Sequence, residues 1–86
     1  MRKLLFFHAP WCSPCRRYVK EYIEPLEQLA GGGKVVRVNA QDAPQMAEKY
    51  GVDKIPTVVI LDGAAVVWKG SEKINIETVA AWLKGE

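Results

Sequence analysis

At 86 residues and 9.6 kDa the chain holds material for one hydrophobic core, so residues 1–86 are expected to form a single domain. Hydrophobic residues make up 49% and charged residues 26%, which is ordinary for a globular protein and argues against disorder. A formal charge of +2, with no basic cluster interleaved with aromatics, argues against a nucleic-acid partner.

The chain opens "MRKLLFFHAPWC", with basic residues followed by apolar ones. Its apolar run, Leu4 to Phe7, falls short of the roughly 7–15 residues of an exported signal core. Nothing approaches a membrane-spanning length either, so no membrane partner is expected and the default location is the cytoplasm. Lys3 to Phe7, aromatic-rich and followed by Pro10, reads as a buried strand.

Beyond the only two cysteines, Val19, Tyr22, Ile23, Leu26, Leu29 and Ala30 recur at helical spacing. Arg16, Arg17, Lys20, Glu21, Glu24 and Glu27 fill the other side. This is an amphipathic helix from about Pro14 to Leu29, ended by three glycines and expected to kink at Pro25. "KVVRVNA" is the next strand, and "DAPQMAEKYG" a brief helix capped by Asp42, supported by Gln45 and closed by Gly51. "TVVIL" and "AVVWK" flank Asp62-Gly63, a strong hairpin signal. In the last helix Asn75 is the cap and Ile74 and Val79 a hydrophobic staple. Ile76, Val79 and Leu83 form its inner stripe.

The order β-α-β-α-β-β-α predicts an α/β fold. The opening strand–helix–strand unit gives parallel strands with a right-handed crossover, and the hairpin gives an antiparallel pair. The expected result is a four-stranded mixed sheet with helices on both faces.

The chemistry lies in "WCSPC", residues 11 to 15. Cys12 falls at the end of a strand-to-helix loop and Cys15 in the first helical turn, where free amides and the helix dipole stabilise a thiolate. The thiolate is the nucleophile of disulfide exchange, and Arg16 and Arg17 add positive charge nearby. Zinc wants four ligands, and only His8 joins the two cysteines. A purely structural staple over so short a loop constrains the unfolded chain little, and apolar burial of an inert pair is opposed by the helix start. A redox dithiol with no metal and no cofactor is the favoured reading.

At these residues the chain resembles the thioredoxin-like family. "WCSPC" is similar to that family's Trp-Cys-x-Pro-Cys site, and "VNAQDAPQMAEKYGVDKIPTVVILDG" to the segment that follows it. Within it "KYGVDKIPT" is the closest match, ending in the Ile-Pro-Thr that carries the family's cis-proline. The resemblance runs over residues 3 to 84, a minimal version of the fold about the size of a glutaredoxin. It implies that Cys12 attacks the target disulfide, that Cys15 resolves the mixed disulfide, and that Trp11 belongs to the docking surface. It also implies that Pro56 is cis, against the sulfurs, leaving the Ile55 backbone free to pair with substrate. Gly70 resembles the family's loop glycine beside the site. Taken alone, Pro56 reads as a trans proline opening a strand.

There are departures. Phe6 stands where thioredoxins bury an acid, Arg37 where they carry the associated lysine, and Ser13-Pro14 where they have Gly-Pro. The proton acceptor for Cys15 is therefore open. Alternation puts Phe6 and His8 on one face, with His8 nearer the cysteine loop. The plainer reading has His8 merely packing; the sharper one has it accept the Cys15 proton, directly or through one water.

Three functions compete. The favoured one is a monomeric protein-disulfide reductase, recycled by a reductase or by glutathione. A glutaredoxin-like enzyme is supported by size and Phe6, but Ile55-Pro56-Thr57 and the lack of a Gly-Gly-x-x-Asp-like segment oppose it. The third is an interaction module with idle cysteines.

Overall fold

In the computed structural model, which describes residues 1–86, alternation along the first strand decides the layering. Strand β1 (Arg2–His8) sends Leu4 and Phe6 to one face of the sheet and Leu5 and Phe7 to the other, and all four are buried. Next come helix α1 (Ser13–Tyr18), a π-helical stretch (Val19–Ile23) and helix α2 (Glu24–Ala30). Strand β2 (Val35–Asn39), helix α3 (Pro44–Lys49), the hairpin β3 (Thr57–Asp62) and β4 (Ala65–Gly70), and helix α4 (Ile76–Leu83) complete the chain.

The sheet order is β2-β1-β3-β4, with β1 parallel to β2 and the other neighbours antiparallel. This is the four-stranded mixed sheet read from the sequence. Residues from α1, α2 and α4 cover one face, and Met46 and Ala47 of α3 pack on the other. Arg2 ties α4 to the edge of β1, donating to the Trp82 carbonyl at 2.7 Å with its guanidinium 4.3 Å from the indole centroid. Lys69 of β4 donates to the carbonyls of Tyr50 and Gly51 at 3.3 and 3.0 Å, just past the end of α3. No helix is long and apolar enough to cross a membrane.

Four local expectations need correction. The single helix expected over Pro14 to Leu29 is interrupted before Pro25 by a π turn, closed by the Glu24 N–H on the Val19 carbonyl. Proline cannot donate to the carbonyl four residues back, and its ring crowds that carbonyl; the wider turn accommodates both. The extra residue rotates the inward face, so Ile23, Leu26 and Ala30 are buried whereas Leu29, expected on the apolar stripe, is 48% exposed.

The cap of α3 is Ala43, with no side-chain hydrogen bond, rather than Asp42. Pro44 begins the helix two residues past Asp42, and the Asp42 and Ala43 N–H groups both donate to the Asn39 carbonyl. In the hairpin Asp62 pairs with Ala65, so the two-residue loop is Gly63-Ala64 rather than Asp62-Gly63. Gly63 takes φ +62°, the left-handed start that a glycine at the first loop position supplies. The cap of α4 is as expected: Asn75 Oδ1 accepts from the Thr78 N–H at 2.9 Å.

Candidate active site

The cysteine pair sits where β1 ends and α1 begins. Cys12 is the N-cap of α1, and its Sγ accepts a hydrogen bond from the Cys15 N–H at 3.2 Å. Sulfur thus stands in for the oxygen that usually satisfies a free amide of the first turn. Pro14 fills the start of the helix at no cost in donors, and the Arg16 N–H reaches the Cys12 carbonyl at 3.2 Å. The two sulfurs are joined in a disulfide, with Cα atoms 5.2 Å apart. Both residues are buried, Cys12 at 5% exposure and Cys15 at 2%, while the neighbouring Trp11 is 65% exposed. An apolar platform therefore stands beside the pair.

Arg16 clasps this loop. Its Nη1 donates to the Pro10 carbonyl at 3.0 Å and its Nη2 to the Ser13 hydroxyl at 2.9 Å. Ser13, the departure from Gly-Pro, supplies one anchor of the clasp. Sequence reasoning treated Arg16 only as nearby charge; the Arg-to-Ser spacing of three on a helix start is the signal that would have found it.

The Ile55–Pro56 peptide bond is cis, as the family resemblance implied. Pro56 shares a cleft of about 390 Å³ with Pro14, Tyr18, Tyr22, Ser71 and Glu72. Ile55 packs against hydrophobic clusters on both faces of the sheet. Thr57, the one buried polar residue, donates its hydroxyl to the Lys54 carbonyl at 2.7 Å and so pins the turn that carries Pro56.

Gly70 pairs with Val58 at the end of β4, and Ser71 and Glu72, not Gly70, border the Pro56 cleft. A Cβ at Gly70 would meet the Glu72 carboxylate and the Trp68 ring. Glycine here lets Glu72 fold back, where its Oε1 accepts from the Ser71 N–H at 2.9 Å.

Beneath the cysteines lies a stack of rings. Phe6 is sandwiched between His8, at 5.4 Å and 9°, and Tyr18, at 5.6 Å and 8°. Tyr18 donates its hydroxyl to the Glu72 carbonyl at 3.0 Å. Burial above all, and then Tyr22 and Glu72, push its phenol up to about 12, so it stays neutral. Tyr18 was not singled out in the sequence, although three residues beyond Cys15 it shares that cysteine's helix face.

His8 does pack, on Phe6, but it also opens onto a second cleft of about 330 Å³ bounded by Cys15, Arg16, Lys20, Glu24 and Arg37. Burial first, and then the Arg37 charge, lower its pKa below the usual histidine value. Arg37 stands opposite Phe6 in the β1–β2 pairing and is held by Glu27 through two hydrogen bonds of 2.8 Å, which favour its charged form. No group of three or more histidine, cysteine or acidic residues is placed to hold a metal ion.

Comparison with known proteins bears on this arrangement. Residues 2–85 match the family model of thioredoxin. The chain is 44% identical over 73 residues to thioredoxin 1 of Nostoc sp., a match covering 85% of this chain and 62% of that protein. It is 42% identical over 60 residues to a thioredoxin of Synechocystis sp., covering 70% of this chain and 56% of that one. The matches thus span only about three fifths of these relatives. Among solved structures, a thioredoxin-2 described as a component of the malaria parasite protein secretion machinery superposes with a TM-score of 0.79. At 21% identity, over 100% of this chain and 84% of that one, it is a likeness of fold.

Proposed function

The chain belongs to the thioredoxin family, and on that premise we propose that it is a thiol-disulfide oxidoreductase that reduces protein disulfides through Cys12 and Cys15. The observation that carries the reading is the pair itself: a disulfide across the first turn of α1, with Cys12 as the cap whose sulfur accepts a backbone hydrogen bond. That bond and the helix dipole favour the Cys12 thiolate over the thiol in the reduced protein.

The Cys12 thiolate attacks one sulfur of a substrate disulfide. The substrate S–S bond breaks, a mixed disulfide forms, and the other substrate sulfur leaves as a thiolate that takes a proton. Cys15, once deprotonated, attacks the Cys12 sulfur and expels the second substrate thiolate. Two electrons pass to the substrate, which ends as a dithiol, and the Cys12–Cys15 disulfide remains. Recycling takes two electrons from an external reductant, either a reductase or glutathione.

Trp11 and the cis Ile55-Pro56 step form the docking surface, with the Ile55 backbone pairing an extended substrate segment; Gly70, set back from that cleft, acts only by letting Glu72 fold against the Ser71 N–H at its border. His8 accepts the Cys15 proton through a water in the cleft the two residues share, as a neutral imidazole is suited to do. Its depressed pKa supports this by keeping the ring unprotonated near neutrality.

Trapping tests the order of attack. Cys15→Ser should accumulate mixed disulfides with substrate proteins through Cys12, and Cys12→Ser few or none; equal trapping would refute the assignment. The reduction potential of the pair is expected at roughly −270 to −200 mV, the span from thioredoxin to glutaredoxins.

A further inference from the structure

The outer side of α1 and of the π-helical turn that continues it, next to the cysteines, is cationic. Ser13, Arg16, Arg17 and Lys20, all exposed, are the only residues lining a shallow depression of about 320 Å³. Three positive charges and one hydroxyl face it, with no carboxylate.

The acids nearest in the helix look elsewhere. Glu21 borders the Pro56 cleft and Glu24 the His8 cleft. Arg16 spends its donors on Pro10 and Ser13. Arg17 and Lys20 join neither of the chain's salt bridges, Arg37–Glu27 and Lys84–Glu86, so no ion pair holds either cation in place, though Arg17 also borders the Pro56 cleft with Glu21 and Lys20 the His8 cleft with Glu24. The other flank, around Pro56, is balanced, with Arg17 and Lys73 set against Glu21 and Glu72. The asymmetry is local, because the chain as a whole carries only +2.

Resting on the oxidoreductase reading, we infer that the α1 flank selects protein disulfides whose cysteine is followed or preceded by acidic side chains. A substrate sulfur must reach Cys12 at the tip of α1, where the helix dipole already adds positive potential. At about 1.5 Å of rise per residue, Arg17 and Lys20 lie about 8 and 12 Å along the axis from Cys12. An extended substrate advancing about 3.3 Å per residue brings its side chains two to four positions from the cysteine over these cations. There an Asp or Glu falls within the Debye length, about 8 Å at physiological salt. Such a field acts on encounter and on KM, and it fades as salt rises.

The test uses three peptides, each closed by one disulfide, with neutral, acidic or basic residues two to four positions from the cysteine. Their kcat/KM values are measured with the reduced protein at low and high salt. The acidic peptide should exceed the neutral one by roughly three- to tenfold at low salt, and the basic peptide should fall below it. High salt should shrink the contrast, and Arg17→Gln/Lys20→Gln should bring the acidic and neutral peptides within about twofold of each other.

Reduction of all three at equal rates, or a contrast that survives in the double variant, would overturn the inference and leave the oxidoreductase reading standing. Reduction of none would overturn both. Equal peptide rates together with binding to phosphatidylglycerol vesicles that the double variant loses would assign the patch to an anionic lipid surface and likewise overturn it.

Discussion

On one face of the sheet Leu4, Phe6, Val58 and Ile60 pack beneath α1, α2 and α4 in a cluster of 13 buried residues that includes Cys12 and Cys15. On the other, Leu5, Phe7, Val38, Val59 and Leu61 form a cluster of 5 that meets α3, Tyr50 and Val52. The same strands build both by alternation, yet only the first carries the cysteine disulfide, a buried phenol and the ring of His8 stacked on Phe6. The cysteine pair is thus part of the larger core, and changes there should act on stability and on the proposed chemistry together. The smaller face is a scaffold whose repair or damage should leave the chemistry alone. Ile55, packed against both clusters and followed by the cis Pro56, is the point where they meet.

Adjacent phenylalanines give the sharpest way to break this comparison. Phe6 and Phe7 are each 0% exposed and point to opposite faces. Phe6→Ala and Phe7→Ala should each destabilise the fold by about 3–5 kcal/mol in denaturant titration, the usual cost of emptying a buried aromatic site. The milder Phe6→Leu and Phe7→Leu, which keep the protein folded, should then part company. Phe6→Leu removes the ring between His8 and Tyr18 and should alter the rate and pH profile of mixed-disulfide resolution. Phe7→Leu should alter neither. If both variants changed resolution alike, the two faces would not be chemically separate.

The layering was legible because it rests on local rules that context did not override. The apolar run "KLLFF", the glycine after Asp62 and the Asn75 cap each act over a few residues, and the succession of elements follows from them, whereas the strand order β2-β1-β3-β4 is set by the folded sheet. What escaped reading depends on competition between rules or on distant contact. Pro25 forbids one hydrogen bond, but whether a helix answers with a kink or with a π turn is settled by what each does to the buried face. Here the π turn delivers Ile23, Leu26 and Ala30 to the core and turns Leu29 out. Asp42 satisfies the capping pattern, yet Asn39 already takes the amides of residues 42 and 43. At the site, Cys12, Cys15 and Pro56 were visible through motif. The Arg16 clasp, the Thr57 pin and the part taken by Ser71 and Glu72 arise from folded geometry and leave no comparable mark in the sequence.

A smaller effect probes the edge of the larger face. Arg37 and Glu27 are joined at the surface, with side chains 41% and 34% exposed, so the pair contributes only about 0–1 kcal/mol. Arg37→Gln should therefore barely change stability. Its mark should appear on His8, whose pKa the Arg37 charge helps to lower. Without that charge the value should rise, yet remain below 6.5, because burial is the larger cause. Proton NMR reads this directly, since His8 is the only histidine. An unchanged titration would mean that Arg37 does not act on the His8 side of the cleft.

The smallest effect concerns stability and pH. In the folded chain the His8 pKa lies below its ordinary 6.5, so between the two values the unfolded chain binds more protons than the folded one. The contribution of His8 to stability is then fully present above the unfolded value and declines as pH falls through 6.5 toward the folded pKa. The ring is only half-buried beside the cleft, so solvent still screens its charge and keeps the slope shallow. His8→Phe keeps a ring against Phe6 and removes the proton. The parent should lose stability relative to this variant as pH drops from about 7.5 to about 5, while carboxylates common to both cancel in the difference. A difference that stayed flat would show that His8 titrates alike in both states, and would remove the support that its packing on Phe6 lends to the proton role proposed for it beside Cys15.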